Sequence, residues 1–242
     1  MQKDIIKYSI VAPAYNEEEN IHNTIEEWQE YIERSRLSAE IVITNDGSKD
    51  NTKKILNNLE KKYSNLQVIH FEKNGGYGRA LNSSMLSAKG EWLVTIDSDG
   101  QFRAEDIQKL IKLQNEKKYD LVNGFRIKKN DGYIRVFADR CLNILIRILF
   151  NIKLKDTNCA LKLIKKESFE SFELESLGYS TPTEIILKSN QAGFKIGETG
   201  IVHLERQGGV SKLKLFNTAF GFFKVLIYLR LKFHLKRKGL IN

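Results

Sequence analysis

Two aspartates one residue apart form the clearest chemical signal in the sequence. Asp97 and Asp99 directly follow the apolar run Trp92–Ile96. Two carboxylates at this spacing repel each other unless a cation neutralises them. Oxygen ligands of this kind suit Mg²⁺ or Mn²⁺, which commonly bridge protein carboxylates and substrate phosphates, and Gln101 would add a carbonyl oxygen. The alternative is an acidic surface turn, because Asp and Gly are common turn residues.

Polar and aromatic residues also follow two earlier apolar runs. Pro13–Glu17 comes after the first run and Asn45–Asp50 after the second. If these runs are parallel strands, their carboxyl ends meet at one edge of a sheet, which is where ligands bind in open α/β folds. The sequence therefore predicts that both segments lie beside the aspartate pair.

A glycine-rich turn, Asn74–Arg79, leads into a helical pattern. Backbone N–H groups at such a place can bind phosphate. The turn does not match the dinucleotide fingerprint, because the third glycine position counted from Gly76 holds Leu81. We therefore expect either a phosphate contact or a plain structural turn here, and no oxidoreductase.

Short apolar runs alternate with helical spacing along the chain, which predicts an α/β fold of three layers, α/β/α, around a mostly parallel sheet. Helical spacing appears, for example, at Ile21, Ile25 and Trp28. The predicted strands are Tyr8–Ala14, Glu40–Thr44, Gln67–Phe71, Glu91–Ile96, Leu121–Val122 and Ala160–Ile164. The second half is less regular, with helices predicted over Ile134–Phe150 and Pro182–Gln191.

The charge of the chain is local rather than uniform. The 242 residues carry a net charge of +9, yet residues 206–242 alone contain nine Lys and Arg and no acidic residue. A second excess, over residues 126–166, has 11 basic residues against three acidic ones. No zinc-ligand spacing, basic zipper or RNA-reading aromatic motif accompanies this charge, so we expect no nucleic-acid partner.

In the C-terminal segment, basic residues alternate with large apolar ones. Its longest uncharged run, Leu215–Phe223, has nine residues, far fewer than the roughly 20 that span a bilayer. Cationic, aromatic-rich helices of this kind can lie in the lipid headgroup region. Arg230 falls near the apolar stripe and disturbs it. The alternative is a helix that packs on the domain or on a second subunit.

Four ordered motifs carry a family resemblance. They are "SIVAPAYNEEENI", "EIVITNDGSKDNT", "NGGYGRALNSSMLSAKGEWLVTIDSDGQ" and "HLERQGGVSKL". From about Tyr8 to Leu213 the chain resembles the family-2 glycosyltransferases of the GT-A fold, and within them the dolichyl- or polyprenyl-phosphate mannosyl- and glucosyltransferases. The resemblance implies an inverting, metal-dependent hexosyltransferase that moves a sugar from a nucleotide-diphosphate sugar to a lipid phosphate.

The resemblance also implies roles for single residues. Asp97, Asp99 and Gln101 match the metal-binding motif, in which Ser98 and Gly100 replace the usual residues without removing a ligand. The family's positions that hold the base and ribose of the nucleotide match Pro13, Tyr15, Glu17 and Asp46. The positions that contact the donor phosphates match Arg206 with Ser211 and Lys212, and those that receive the acceptor phosphate match Arg126 and Arg140. A divalent cation and Arg206 would stabilise the charge that develops on the departing diphosphate.

Two acceptors remain open at this point. A lipid phosphate is already anionic and needs positioning cations more than a general base. A glycan hydroxyl, in cell-surface polysaccharide synthesis, would need a carboxylate base, and Glu184 stands where related enzymes carry one. In the lipid-phosphate enzymes a Glu at this place looks structural or acceptor-positioning. A non-catalytic nucleotide-sugar-binding subunit would lack a metal ligand or phosphate contact, and none is missing here.

We expect a catalytic domain over residues 1–212 and a basic helical tail over 213–242. Two cysteines and a polar start without a signal peptide are typical of a cytoplasmic protein. The tail predicts peripheral contact with the inner face of the membrane. The sequence leaves open UDP or GDP, the sugar, and whether the chain forms a homo-oligomer or binds a membrane-protein partner.

Overall fold

The computed structural model describes residues 6–128, 133–205 and 215–240. Its strands are β1 (Tyr8–Ala14), β2 (Ala39–Asn45), β3 (Leu66–His70), β4 (Trp92–Thr95), β5 (Leu121–Arg126), β6 (Lys162–Lys165) and β7 (Ile196–Ile201). Its helices are α1 (Ile21–Ser35), α2 (Thr52–Lys62), α3 (Tyr77–Ser87), α4 (Asp106–Lys117), α5 (Tyr133–Phe150), α6 (Lys166–Glu170), α7 (Thr181–Gln191) and α8 (Leu215–Arg237).

The strands form one sheet in the order β3-β2-β1-β4-β6-β5-β7. All neighbours are parallel except β6, which runs antiparallel to β4 and β5. Both faces of the sheet are buried, because Ile10 belongs to one apolar cluster while the next residue, Val11, belongs to the other. Trp28 of α1 lies in the first cluster and Leu81 of α3 in the second. The predicted three-layer α/β/α fold is confirmed.

The antiparallel strand β6 determines where the residues directly before it lie. It starts at Lys162, which pairs with Thr95 at the carboxyl end of β4. Ala160, two residues before β6, lies at the same edge, because the Thr95 hydroxyl donates to its carbonyl over 2.6 Å. The segment between β5 and β6 therefore begins and ends at the carboxyl edge of the sheet, beside the predicted site.

Two elements escape the sequence pattern. β7 reads Ile-Gly-Glu-Thr-Gly-Ile, which lacks an apolar run, yet it pairs with β5 as an edge strand. Gly197 is needed there because a Cβ atom would collide with the ring of Tyr119. The short helix α6 directly follows β6, and the sequence pattern did not predict it either. The strand predicted from Ala160 begins two residues later, at Lys162.

α8 packs on the domain through one face. Phe222, Leu226, Leu229 and Phe233 are buried, and the last three join the second apolar cluster. The Phe233 ring also meets Phe150 at the end of α5, with 6.0 Å between ring centroids. The predicted boundary between residues 212 and 213 lies outside the described residues. In the described part of the chain, no helix is both long and apolar enough to cross a bilayer.

A cluster of charged and polar side chains, here called the joint, connects α8 to α7; it consists of Glu175, Lys188, Tyr228 and Lys232. One oxygen of Glu175 accepts from Lys232 over 2.6 Å and from the Tyr228 hydroxyl over 2.8 Å, and the other accepts from Lys188 over 2.8 Å. Burial alone would raise the pKa of Glu175, but the hydrogen bonds from Lys188, Lys232 and Tyr228 outweigh it and lower the pKa to about 2. The joint is therefore strongest when Glu175 is ionised.

This joint predicts a pH-dependent loss of stability in Glu175→Gln. Because the pKa falls from 4.5 to about 2 on folding, the carboxylate stabilises the fold fully above pH 4.5 and loses that contribution as the pH falls toward 2. At pH 7 we expect the variant to lose about 1 kcal/mol of unfolding free energy in urea titrations, since solvent screens the joint. The difference should shrink between pH 5 and 3, whereas the control Glu173→Gln should match the wild type throughout. A constant difference would contradict the ionic account.

Candidate active site

Three strand ends are bonded together at the carboxyl edge of the sheet. The Asp46 N–H, just after β2, donates to the Ala14 carbonyl at the end of β1 over 2.8 Å. The hydroxyl of Ser98, just after β4, donates to the Pro13 carbonyl over 2.7 Å. These bonds bring the segments that follow β1, β2 and β4 to one place, as the sequence predicts. Ser98, between the two aspartates, thus has a structural task that the sequence did not reveal.

The aspartate pair at this edge has a strongly perturbed carboxyl group. Burial, followed by the neighbouring charge of Asp99, raises the pKa of Asp97 to about 7. The Tyr77 hydroxyl donates to Asp97 Oδ1 over 2.8 Å, and the charge of Arg126 also favours the ionised form. A divalent cation would remove the mutual repulsion that raises this pKa, so the donor set fits Mg²⁺ or Mn²⁺.

Gln101 joins the aspartate loop to a distant part of the chain. Its backbone N–H donates to Asp99 Oδ1 over 3.1 Å, and its side-chain amide donates to the Leu204 carbonyl over 3.1 Å. The Leu204 N–H donates back to the Gln101 carbonyl over 2.8 Å, and Phe102 bridges to His203. The segment that leads to Arg206 is therefore fixed beside the aspartates. Arg206, Ser211 and Lys212 lie outside the described residues.

Within those described residues, no cluster of three His, Cys, Asp or Glu side chains could hold a metal by itself. The protein offers two carboxylates at the predicted place. Mg²⁺ sites of this kind are usually completed by water and substrate phosphates. The arrangement thus fits a cation that binds together with a phosphorylated substrate.

One of the residues predicted to hold the nucleotide, Glu17, lines a cavity of about 320 Å³. It is lined by Asn16, Glu17, Glu18, Glu19, Asn20, Lys49 and Asp50. Pro13 and Tyr15 belong to the same segment after β1. Glu17 is buried and accepts from the Asn20 amide over 3.0 Å. The nucleotide roles of Pro13, Tyr15, Glu17 and Asp46 remain predictions.

Asp46 organises the glycine-rich turn. Its buried carboxylate accepts from the backbone N–H of Gly75 over 2.6 Å, from that of Gly76 over 2.9 Å and from the Asn74 amide over 2.8 Å. Both turn amides that could have met a phosphate thus bind a protein carboxylate. The structural alternative for this turn fits the geometry better than the phosphate alternative.

Arg126, at the end of β5, is a fixed cation near the aspartates. Its Nε and Nη2 donate to Asp156 over 2.7 and 3.1 Å, and Nη2 also donates to Asp139 over 3.0 Å. Burial disfavours its charge, but the Asp156 carboxylate more than offsets this and raises the pKa of Arg126. Arg140 lies exposed on α5. Their roles toward an acceptor phosphate remain predictions.

The geometry gives Glu184 a structural task. Its fully buried carboxylate accepts from the backbone N–H groups of Glu175 and Ser176, both over 2.8 Å, and lies 2.8 Å from Lys188 Nζ. A general base must reach the proton that it removes. Both Glu184 oxygens instead hold residues 175 and 176, which argues against the base that a hydroxyl acceptor would need.

The sequence pattern missed two side chains at this edge. Tyr77 was part of the glycine-rich turn and had no role of its own. Lys162 counted toward the basic segment, yet it is fully buried, and its Nζ donates to Asn123 Oδ1 over 2.5 Å and to the Thr157 carbonyl over 3.2 Å. Burial lowers its pKa to about 8. Tyr77 lies within a quoted motif and Lys162 outside all four, but neither contact has a sequence signal, so only the fold reveals them.

Two relatives are similar to this chain over most of its length. "Dolichyl-phosphate beta-glucosyltransferase ALG5D" of Trichomonas vaginalis is 27% identical over 247 residues, covering 95% of this chain and 76% of the relative. "Dolichyl-phosphate beta-glucosyltransferase ALG5A" of the same organism is 29% identical over 221 residues, covering 86% and 68%.

Among solved structures, glucosyl-3-phosphoglycerate synthase from Mycobacterium tuberculosis, in complex with Mn²⁺, UDP and phosphoglyceric acid, has a TM-score of 0.71 at 19% identity. The likeness covers 98% of this chain and 80% of that one and concerns the fold, which is the predicted GT-A fold. The model of the family described as "Glycosyl transferase family 2" matches residues 9–172 of this chain. The resemblance is confirmed, and the chain belongs to glycosyl transferase family 2.

Proposed function

We propose that this protein is an inverting hexosyltransferase that moves a sugar from a nucleotide-diphosphate sugar to a polyprenyl phosphate at a membrane surface. The observation that carries the proposal is the Asp97–Asp99 pair, in which burial, followed by the neighbouring charge of Asp99, raises the pKa of Asp97 to about 7. Such a pair needs a cation, and a nucleoside diphosphate supplies the remaining oxygen ligands.

Mg²⁺ or Mn²⁺, held by Asp97 and Asp99 with Gln101 nearby, would neutralise the charge on the departing diphosphate. Arg206 would add a second cation, since the contacts of Gln101 with Leu204 bring the preceding segment to the aspartates. Structures of the fold neighbour contain UDP with Mn²⁺ or with Mg²⁺. Because those relatives named above are glucosyltransferases, UDP-glucose is the first donor to test.

Three features favour a lipid phosphate as the acceptor. The relatives named above are dolichyl-phosphate glucosyltransferases. The charge of Arg126 favours the ionised form of Asp97, so a cation lies beside the donor site, where a phosphate would compete with Asp156 and Asp139 for it. Glu184, the base that a hydroxyl acceptor would require, is occupied in holding residues 175 and 176. An anionic acceptor needs alignment but no deprotonation.

Membrane contact would come from the outer face of α8 and from α5. α8 leaves Phe220, Phe223, Ile227 and Leu231 exposed at helical spacing, opposite its buried stripe. α5 likewise leaves Phe137, Ile144 and Ile148 exposed. Lys224 and Arg230 lie on the exposed part of α8, and residues 206–242 contain no acid. Exposed apolar stripes with flanking cations are typical of helices that lie on anionic lipid, here on the inner membrane face.

The transfer reaction is tested with purified full chain, radiolabelled UDP-glucose, Mn²⁺ or Mg²⁺ and a short polyprenyl phosphate. We expect label to enter the organic phase. Asp99→Ala should lower the rate by about 100-fold or more, because it removes charge stabilisation of the leaving group. The control Glu91→Ala, an exposed carboxylate at the opposite end of β4, should leave the rate unchanged.

If UDP-glucose is inactive, GDP-mannose and other nucleotide sugars are tried with the same acceptor. Label that reaches only a free glycan, with no donor labelling the lipid, would contradict the proposed acceptor.

Membrane contact is tested by flotation with vesicles of phosphatidylcholine and phosphatidylglycerol. We expect the full chain to float with the anionic vesicles, and less so as salt is added. Replacing both Phe223 and Ile227 by Ser should lower binding at least about 10-fold, because two large apolar side chains no longer enter the lipid. The control Leu86→Ser, exposed on α3, should bind normally. Equal binding of all three proteins would contradict a lipid-facing α8.

A further inference from the structure

Tyr77 stands where three parts of the active-site edge meet. It is the first residue of α3, and its hydroxyl donates to Asp97 Oδ1 over 2.8 Å. The bond links the glycine-rich turn to the aspartate pair, which lies 20 residues further along the chain. Two supports hold Tyr77 in place, namely the turn that precedes it and the segment over residues 175–181.

The first support is the turn that precedes Tyr77. Asp46 accepts from the N–H groups of Gly75 and Gly76, so the backbone that enters α3 is held at two consecutive residues. Gly76 adopts a φ of 95°, a left-handed conformation that favours glycine. The position of the Tyr77 Cα atom is therefore set by a buried carboxylate on β2's loop.

The second support is the segment over residues 175–181. It packs so closely on the turn that a Cβ atom at Gly76 would collide with the Leu177 carbonyl, and one at Gly78 with Ser176 and Thr181. The Gly78 N–H donates to the Leu177 carbonyl over 2.9 Å. This close approach is possible only because both positions are glycine.

Glu184 holds this second segment in place through the N–H groups of Glu175 and Ser176. The segment in turn presents Tyr179, whose ring centroid lies 5.4 Å from that of Tyr77. The turn thus fixes the backbone that leads to Tyr77, and the Tyr179 ring lies beside its side chain. The Tyr77 hydroxyl is held in this way where it donates to Asp97.

We infer that Tyr77 is a positioning residue that orients the Asp97 carboxylate for a divalent cation. The hydrogen bond fixes the plane of the carboxylate, as outer partners of metal ligands do elsewhere. Asp46 and Glu184 act through Tyr77 by holding the two segments that confine it. The inference rests on the proposed function, since it assumes that Asp97 binds a metal.

The test is a Mn²⁺ titration of the full chain, followed by the electron paramagnetic resonance signal of free Mn²⁺, with and without UDP as a probe. Tyr77→Phe keeps the ring and removes the hydroxyl, and we expect it to weaken Mn²⁺ binding about 10-fold. Its melting temperature should stay within about 3 °C of the wild type, because a single hydrogen bond is lost.

Tyr63→Phe is a matched control, because the Tyr63 hydroxyl also donates to a carboxylate, that of Glu26, over 2.6 Å. It should bind Mn²⁺ like the wild type. If Tyr77→Phe does not fold, Tyr179→Leu takes its place in the test. This variant keeps the Tyr77 hydroxyl but removes the ring beside Tyr77, and it should also weaken Mn²⁺ binding.

Unchanged Mn²⁺ affinity in a folded Tyr77→Phe, or in Tyr179→Leu where that variant decides, overturns the inference and leaves the proposed function intact. A wild type that takes up no Mn²⁺, even with UDP, contradicts the proposed function itself and the inference with it.

Discussion

The repulsion between Asp97 and Asp99 is the interaction on which the rest of the active-site edge depends. Both follow a buried strand, so water screens their charges poorly and the pKa of Asp97 rises to about 7. A fold rarely tolerates such a pair without a cation or a set of hydrogen-bond donors. Here Tyr77, Ser98 and Gln101 arrange the aspartate loop, and Arg126 adds a nearby positive charge. The remaining need is for a divalent cation and its phosphate ligands.

Several carboxylates around the candidate site bind polar groups of the protein itself. Asp46 binds the glycine turn, Glu184 binds residues 175 and 176, and Asp156 binds Arg126. Each is buried, and each removes the cost of leaving a polar group without a partner. Glu175 connects these contacts to α8, because its backbone is held by Glu184 while its side chain binds Lys232 of α8. The helix proposed to meet the membrane is thereby fastened to the active-site edge.

The sequence predicted the fold class and the location of the site because both depend on local patterns. Continuous apolar runs mark strands buried on both faces, and polar residues after Ala14, Asn45 and Ile96 mark the edge where they end. The antiparallel direction of β6 and the edge strand β7 could not be predicted, since direction depends on where the chain returns and β7 has no apolar run. The tasks of Tyr77 and Lys162 depend on contacts with residues far along the chain. Glu184 shows the same limit, because its position in the sequence suits a base while its burial suits a structural anchor.

The central claim is that Asp97 and Asp99 hold a divalent cation together with a nucleoside diphosphate. The most direct measurement is anomalous diffraction at the manganese edge from crystals of the full chain grown with Mn²⁺ and UDP. The account predicts one strong peak within bonding distance of a carboxylate oxygen of Asp97 or Asp99 and of the diphosphate. Bound UDP without a peak there, or a peak at another site alone, would contradict it.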